Sequence, residues 1–355
     1  MRKKLIVITF LMILFGFSIT HILLPDQKIS ISERREYKTL PKFTLDSKYI
    51  NNLEQYLLDH FPLRDTFRSI KAHYNLNLLQ MLDNNKIYVK DKQIFKLNYP
   101  LNMQSVDYFK QHIQTLKANF SDDNQVYFML IPDKNYYVED SNFLKIDYEF
   151  IQKQLVFDDV KEIAIFDLLS LDDYYDSDSH WRQNHLDKIV KRMDEVMKFN
   201  YQSMDFIQNT FDDFYGVYYG ESALNLNSDT IIYLTNSILD QCEVTYLENK
   251  TLSSLYNEDN LTSMDAYEVF LDGASSFITI ENKQALTNKE LIVFRDSFGS
   301  SLVPLLAPYY QKISVVDLRY ITLEMVNEMI DYQNQDILMM YNVALVNESF
   351  SLKKR

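Results

Sequence analysis

Asp178-Ser179-His180-Trp181 sets a carboxylate and an imidazole two residues apart. Arg295-Asp296-Ser297-Phe298-Gly299 sets a hydroxyl at the end of an apolar run, just before a helical pattern. A serine becomes a nucleophile when a base takes its proton and an acid orients that base. The two segments supply one of each. Their residue types point to acyl chemistry on Ser297, with His180 as base and Asp178 as its orienting acid.

Each segment also has a plainer reading. Asp and Ser are preferred helix caps, so Asp296 or Ser297 could cap the helix that follows, and Asp178 or Ser179 the helix near Arg182. A metal could be held by Asp176, Asp178, His180 and His185. The two histidines are five apart, however, which does not align them on one helix face. The single Trp follows His180, where it would wall the site against water. The chain has only five Gly. Gly299 lies two residues past Ser297, and Gly216 and Gly220 flank a Tyr-rich segment.

Positioning these residues requires a sheet. Val126–Ile131, Ile163–Phe166, Leu291–Phe294, Ile313–Val316 and Ile337–Tyr341 read as strands. Between them, residues 186–197, 302–306 and 322–332 carry helical spacing. Alternating strands and helices predict an α/β domain with a mostly parallel sheet. Leu291–Phe294 reads as central, which places Ser297 at a strand's C-terminal end, where open α/β sheets bind ligands. The helix that follows would turn its free N–H groups toward a developing oxyanion. Residues 205–285 differ, with short runs at Ile231–Leu234, Val244–Leu247, Tyr267–Leu271 and Phe277–Ile280. They read as a β-rich insertion. Residues 49–82 read as two helices with a corner at Phe61-Pro62-Leu63.

Composition bounds the setting. The chain has 355 residues, 46% hydrophobic, with 26 Tyr and 23 Phe, enough for a sizeable core. Arg2-Lys3-Lys4 precedes an apolar run over residues 5–24, long enough to cross a bilayer. The basic flank places the N-terminus on the cytoplasmic side and the remainder outside. The run ends in Thr20-His21-Ile22 without a small-residue cleavage pattern, so residues 1–25 are expected to stay as a signal anchor. Residues 26–48 read as a tether, and 49–355 as the catalytic domain. Residues 26–355 hold 33 basic and 50 acidic side chains, a net charge of −17, which disfavours nucleic acid as a ligand. Cys242 is the single cysteine, so no disulfide forms within the chain.

Taken together, the segments resemble the SGNH-hydrolase-like proteins of the alginate O-acetylation type, including their Gram-positive branch, the DHHW proteins. The resemblance rests on Asp59-His60-Phe61-Pro62-Leu63-Arg64-Asp65, Pro132-Asp133-Lys134, Asp178-Ser179-His180-Trp181 and Phe214–Gly220. It also rests on Phe270–Gly273, Arg295–Gly299 and Asp317-Leu318-Arg319-Tyr320. It implies an SGNH-like α/β fold with a Ser-His-Asp triad at Ser297, His180 and Asp178. It implies acetyl transfer to or from an extracellular polysaccharide, with a membrane-bound O-acyltransferase as acyl donor. Two positions depart from the family pattern. Ser179 stands where DHHW proteins have His, and Arg295 stands where the usual serine block has Gly.

Around the triad, Arg295, Tyr218, Gly216, Arg319 and Lys134 are candidates for oxyanion or substrate contacts, with Gly273 and Asn347 as weaker oxyanion candidates. For each, an ion pair or a packed aromatic is an equal reading. Three functions follow. A membrane-anchored O-acyltransferase would resolve the acyl-serine with a glycan hydroxyl. An esterase would resolve it with water. A glycan-binding or assembly protein would keep the fold without turnover. None calls for a cofactor or a metal.

Overall fold

A computed structural model describes residues 2–30, 33–247, 251–252 and 254–353. The chain divides into two compact units, Met1–Tyr88 with Val217–Asn227, and Val89–Gly216 with Ser228–Arg355.

The first unit is built on helices. α1, Arg2–Leu23, is apolar and has no buried residue. Its 22 residues make a rod about 33 Å long, enough to cross a hydrocarbon layer of about 30 Å. α2, Ser47–Asp59, starts on Asp46, whose carboxylate accepts from the Tyr49 N–H at 2.8 Å. Pro62 cannot donate to a continuing helix, and Leu63 at φ 61° redirects the chain into α3, Arg64–His73. The expected corner is where the chain turns. Tyr74–Leu78 extend α3 by a π-helical turn. Asp59 closes the unit's polar interior by accepting from Arg35 Nη1 at 3.0 Å and from the Lys38 N–H at 2.9 Å.

The second unit holds the expected sheet. Its strands are β1 (Gln125–Ile131), β2 (Lys161–Glu162), β3 (Glu243–Tyr246), β4 (Thr251–Leu252), β5 (Phe277–Glu281), β6 (Glu290–Arg295), β7 (Lys312–Val316) and β8 (Asp336–Asn342). They lie in the order β4-β3-β5-β7-β6-β8-β1-β2. From β7 to β2 every pairing is parallel, while β5, β3 and β4 run antiparallel at one side. Side chains alternate across a strand, and the two cores follow that period. Tyr127, Met129, Leu291, Val293, Leu338 and Met340 enter one core, and Val126, Phe128, Ile292, Phe294, Ile337 and Met339 the other. Both faces are buried, which is why these strands read as unbroken apolar runs. Helices α4 (Met103–Lys117), α5 (Asp187–Met197), α6 (Gly299–Leu306) and α7 (Leu323–Met329) belong to the same unit.

Two expected strands differ. Ile163–Phe166 is not a strand; the pairing with β1 is made just upstream at β2, and Ile163 and Ile165 are buried loop side chains. Tyr267–Leu271 contains a 3-10 turn at Ala266–Val269, opened by the Asp265 carboxylate on the Tyr267 N–H. Buried apolar runs without a paired neighbour look like strands in sequence. The 205–285 stretch supplies an antiparallel hairpin, Ile207–Phe214 with Asp229–Thr235, and then the antiparallel side of the main sheet.

Between β6 and α6 the chain makes the turn that carries Ser297. Asp296 Oδ1 accepts from the Phe298 N–H at 3.0 Å, and its Oδ2 from the Asn342 N–H at 2.6 Å. One buried carboxylate thus ties the end of β6 to the end of β8. Gly299 opens α6 directly over the Arg295 stem, and a Cβ there would come within 2.8 Å of Arg295 Cβ. Gly299→Ala should therefore cost about 1–3 kcal/mol through overpacking, read from urea unfolding, whereas a loss below a few tenths would show that the Arg295 stem gives way freely.

Candidate active site

The residues that could do chemistry meet at the C-terminal end of β6. Asp178 Oδ1 lies 2.6 Å from His180 Nδ1, and His180 Nε2 lies 2.8 Å from Ser297 Oγ. Asp178 is buried, while His180 is partly open. The same Asp178 oxygen accepts the His180 backbone N–H at 3.0 Å. The carboxylate therefore holds both the ring and the backbone of the base. With Nδ1 donating to Asp178, Nε2 is free to take a proton from Ser297.

The ring is held from its faces as well. Tyr267 stacks on His180 with centroids 3.9 Å apart and planes 11° apart, and Phe298 packs at 5.0 Å. The Tyr267 hydroxyl pairs with Ser301 Oγ at 2.9 Å. Trp181 donates to Phe298 O at 3.1 Å and to Ser301 Oγ at 2.9 Å. It is fully buried beneath the turn and does not wall the site as expected. Its role is to bind the histidine segment to the serine helix. Gln183 adds to that junction, donating to Ser301 O at 2.8 Å and accepting from the Leu234 N–H.

The segment before His180 is fastened by Asp229. That buried carboxylate accepts from the Asp176 N–H, the Ser177 N–H, the Ser177 hydroxyl and Arg182 Nη2, all between 2.5 and 2.9 Å. Tyr175 donates its N–H to His180 O at 3.1 Å, and Arg182 to Asp173 O at 2.7 Å. The loop is a closed, hydrogen-bonded loop rather than an exposed one.

Most of the surrounding candidates are structural. Gly216 donates its N–H to Ser177 Oγ at 2.9 Å, and a Cβ there would run into Ser177 O and Asp178 Cβ. It packs behind Asp178. Arg295 is 1% exposed and lies under α6; Nη1 donates to Asp296 O, and Asp317 stands 3.8 Å away. Burial lowers its pKa against the pull of Asp317. Arg319 forks onto Asp317, with Nε 2.9 Å from Oδ1 and Nη2 2.6 Å from Oδ2. Asn347 donates to Asn98 O and Pro100 O and accepts from the Asn102 N–H, so it closes a loop. Gly273, at φ 77°, turns the chain over Glu268. Tyr218 lies on the short helix Val217–Ser222 of the first unit, outside the unit that holds the triad. His185 pairs with Asp173 at 3.2 Å, so it does not join His180 around a metal.

The turn offers one backbone donor. Phe298 donates to Asp296 Oδ1, Gly299 to Asp296 O and Ser300 to Ser297 O. Among the described residues, the N–H of Ser297 itself has no such acceptor. Tyr267, Asp229 and Ser301 went unrecognised in the sequence, where Asp296 reads only as a helix cap. The chain has many tyrosines and acids, and only the fold shows which ones converge.

No family model matches the chain, and no curated protein matches it. Solved structures do. A DHHW family protein from Eubacterium siraeum superposes with a TM-score of 0.61 at 18% identity, covering 77% of this chain and 98% of that one. PatB1 from Bacillus cereus with a sulfonyl adduct superposes at 0.58 and 17% identity, over 76% and 96%. PatB1 without the adduct gives 0.56. The chain has their fold, the one that the resemblance of its motifs implied.

Lys134 sits behind Asp178. It is buried and donates to Ile94 O at 2.7 Å, Tyr175 O at 2.9 Å and Asp176 O at 3.1 Å, with Asp178 O at 3.4 Å. Burial pulls its amine down to about 7, with Asp229, Asp178 and Asp176 opposing the shift and Arg182 adding to it. Unfolded, the amine keeps its proton up to its ordinary value of 10.5. Between the two values the unfolded chain holds the extra proton, so raising pH favours folding. The penalty is full below pH 7 and is relieved above it. From pH 7 to 9 the wild type should gain up to about 2 kcal/mol of stability that Lys134→Met lacks; equal slopes in urea unfolding would assign the gain to other groups.

Proposed function

We propose that the chain is a membrane-anchored O-acyltransferase that acts on an extracytoplasmic polysaccharide through an acyl-serine intermediate. The observation that carries this reading is the relay from Asp178 through His180 to Ser297, closed at 2.6 and 2.8 Å. The motif resemblance supports acetyl as the acyl group. It also supports a membrane-bound O-acyltransferase as the donor partner. The length and apolar surface of α1 support a single span, and the Arg2-Lys3-Lys4 flank supports an outward-facing catalytic unit.

In this mechanism Ser297 Oγ attacks the carbonyl carbon of the acyl donor while His180 Nε2 takes its proton. Asp178 stabilises the imidazolium that forms. The carbonyl oxygen becomes an oxyanion beside the start of α6, where the Ser297 N–H donates to it. The tetrahedral adduct expels the donor's oxygen, which leaves with the proton held on Nε2. A glycan hydroxyl then attacks the acyl-serine, giving its proton to Nε2, and collapse returns that proton to Ser297. Tyr267 keeps the ring in plane through both proton transfers.

The full chain in detergent, exposed to an activated acetyl ester, should gain one acetyl group at Ser297 by intact-mass spectrometry. Ser297→Ala should show none, and His180→Ala should slow the adduct by about 10³-fold or more. Added glycan should become O-acetylated at the expense of free acetate. A folded protein that forms no adduct would overturn the acyl-serine; free acetate alone, with every glycan tried, would turn the reading to an esterase.

A further inference from the structure

The first unit carries an apolar surface that its own packing leaves largely exposed. Leu63, Phe67, Ile70, Tyr74 and Leu78 follow one another at spacings of four, three, four and four, which puts them on one face of the rod formed by α3 and its π-helical extension. In a soluble unit such a face turns inward. Here Leu63, Ile70 and Leu78 are 66%, 58% and 70% exposed. The buried residue of α3 is Ala72, on another side. The polar groups of the helix are occupied elsewhere, with Arg64 and Arg68 both paired to Glu33 at 2.7 and 3.2 Å.

The neighbour of this face is α1. Phe17 stacks on Phe61 at 5.3 Å and packs against Phe67 at 5.8 Å. One turn on, His21 Nδ1 lies 3.0 Å from His60 O. Phe17 and His21 are the two half-buried residues of α1. Phe17 lies six residues before the end of α1, which is about 9 Å along the axis. If α1 spans a bilayer, Phe67 stands at the level of the upper hydrocarbon, not above it.

We propose that this face of α3 is a second membrane contact, lying in the outer interface of the bilayer beside the spanning helix. The proposal rests on the reading of α1 as a membrane span. The occupant is lipid because the face is continuous with α1 through Phe17, is apolar along its whole length, and has its neighbouring arginines neutralised by Glu33. The anchor would then be a span plus an interfacial helix, which fixes the tilt and rotation of the first unit on the membrane in a way one helix alone does not.

The test uses the full chain in vesicles of phosphatidylcholine and phosphatidylglycerol, with no other protein. Single cysteines at Ile70→Cys and Leu78→Cys carry an environment-sensitive fluorophore; Leu11→Cys reports on α1, and Asp107→Cys on the aqueous side. Cys242 is buried and stays unlabelled. Lipid-borne quenchers should act on the probes at 70 and 78 about threefold or more strongly than aqueous iodide, as they do at 11, with the reverse at 107. Iodide quenching at 70 and 78, with 11 in lipid, would overturn the proposal and leave the span intact. Probes at 70 and 78 that answer to neither quencher would mean a protein cover, such as a second copy, and would also overturn it. A probe at 11 that is itself aqueous would remove the span and this contact together.

Discussion

A hydrogen bond of 2.8 Å between His180 and Ser297 joins positions 117 residues apart in the chain. Proton transfer needs that distance held to within a few tenths of an ångström, because a longer gap loses the overlap that moves the proton. Neither residue can hold it alone. Ser297 sits on a turn fixed by Asp296, whose two oxygens tie it to Phe298 and to Asn342 on β8. His180 sits on a loop fixed by Asp229 and clamped to α6 by Trp181 and Gln183. The sheet supplies the first anchor and the hairpin the second, so the β-rich stretch serves the site as much as the parallel core does.

The supports are buried polar groups, which stabilise only when fully paired. Asp296 shows the balance. Burial pushes its carboxyl up, and the N–H groups of Asn342 and Phe298 hold it down. Arg295 is packed under the same turn, drawn toward Asp317, which Arg319 also grips. Lys134 gathers three carbonyls from two segments beneath Asp178. A bed of charge this dense is expensive to fold, and it is found beneath Asp178, His180 and Ser297. Rigidity there is what it supports, since a loop held by four bonds to one carboxylate has little freedom to carry His180 away from Ser297.

Much of this was legible in the sequence. The strands β1, β6, β7 and β8 were visible because burial on both faces makes them continuous apolar runs. Asp178, His180 and Ser297 were visible because their types are chemically distinctive and their neighbours, a lone Trp and a scarce Gly, are rare in this chain. The supporting residues were not. Tyr267 is one tyrosine among many, and Asp229 one acid in an acidic chain; what distinguishes them is long-range placement. Arg295 and Lys134 read equally as ligand contacts or as ion-paired residues, because they are charged and lie near the motifs. They face inward: Lys134 onto backbone carbonyls, and Arg295 onto Asp296 O and toward Asp317, with its Nε and Nη2 left without a partner among the described residues. The apolar run at Ile163–Phe166 buries its side chains as a loop, where sequence shows only the burial.

The central claim is that Ser297 is a nucleophile activated by His180. The most direct test is the reaction of the full chain with a sulfonyl fluoride, with the modified residue mapped by peptide mass spectrometry and the rate followed in wild type and His180→Ala. The account predicts one adduct, on Ser297, formed about 10³-fold or more slowly without the imidazole. Adducts on other serines, or a rate at Ser297 that is indifferent to His180, would contradict it.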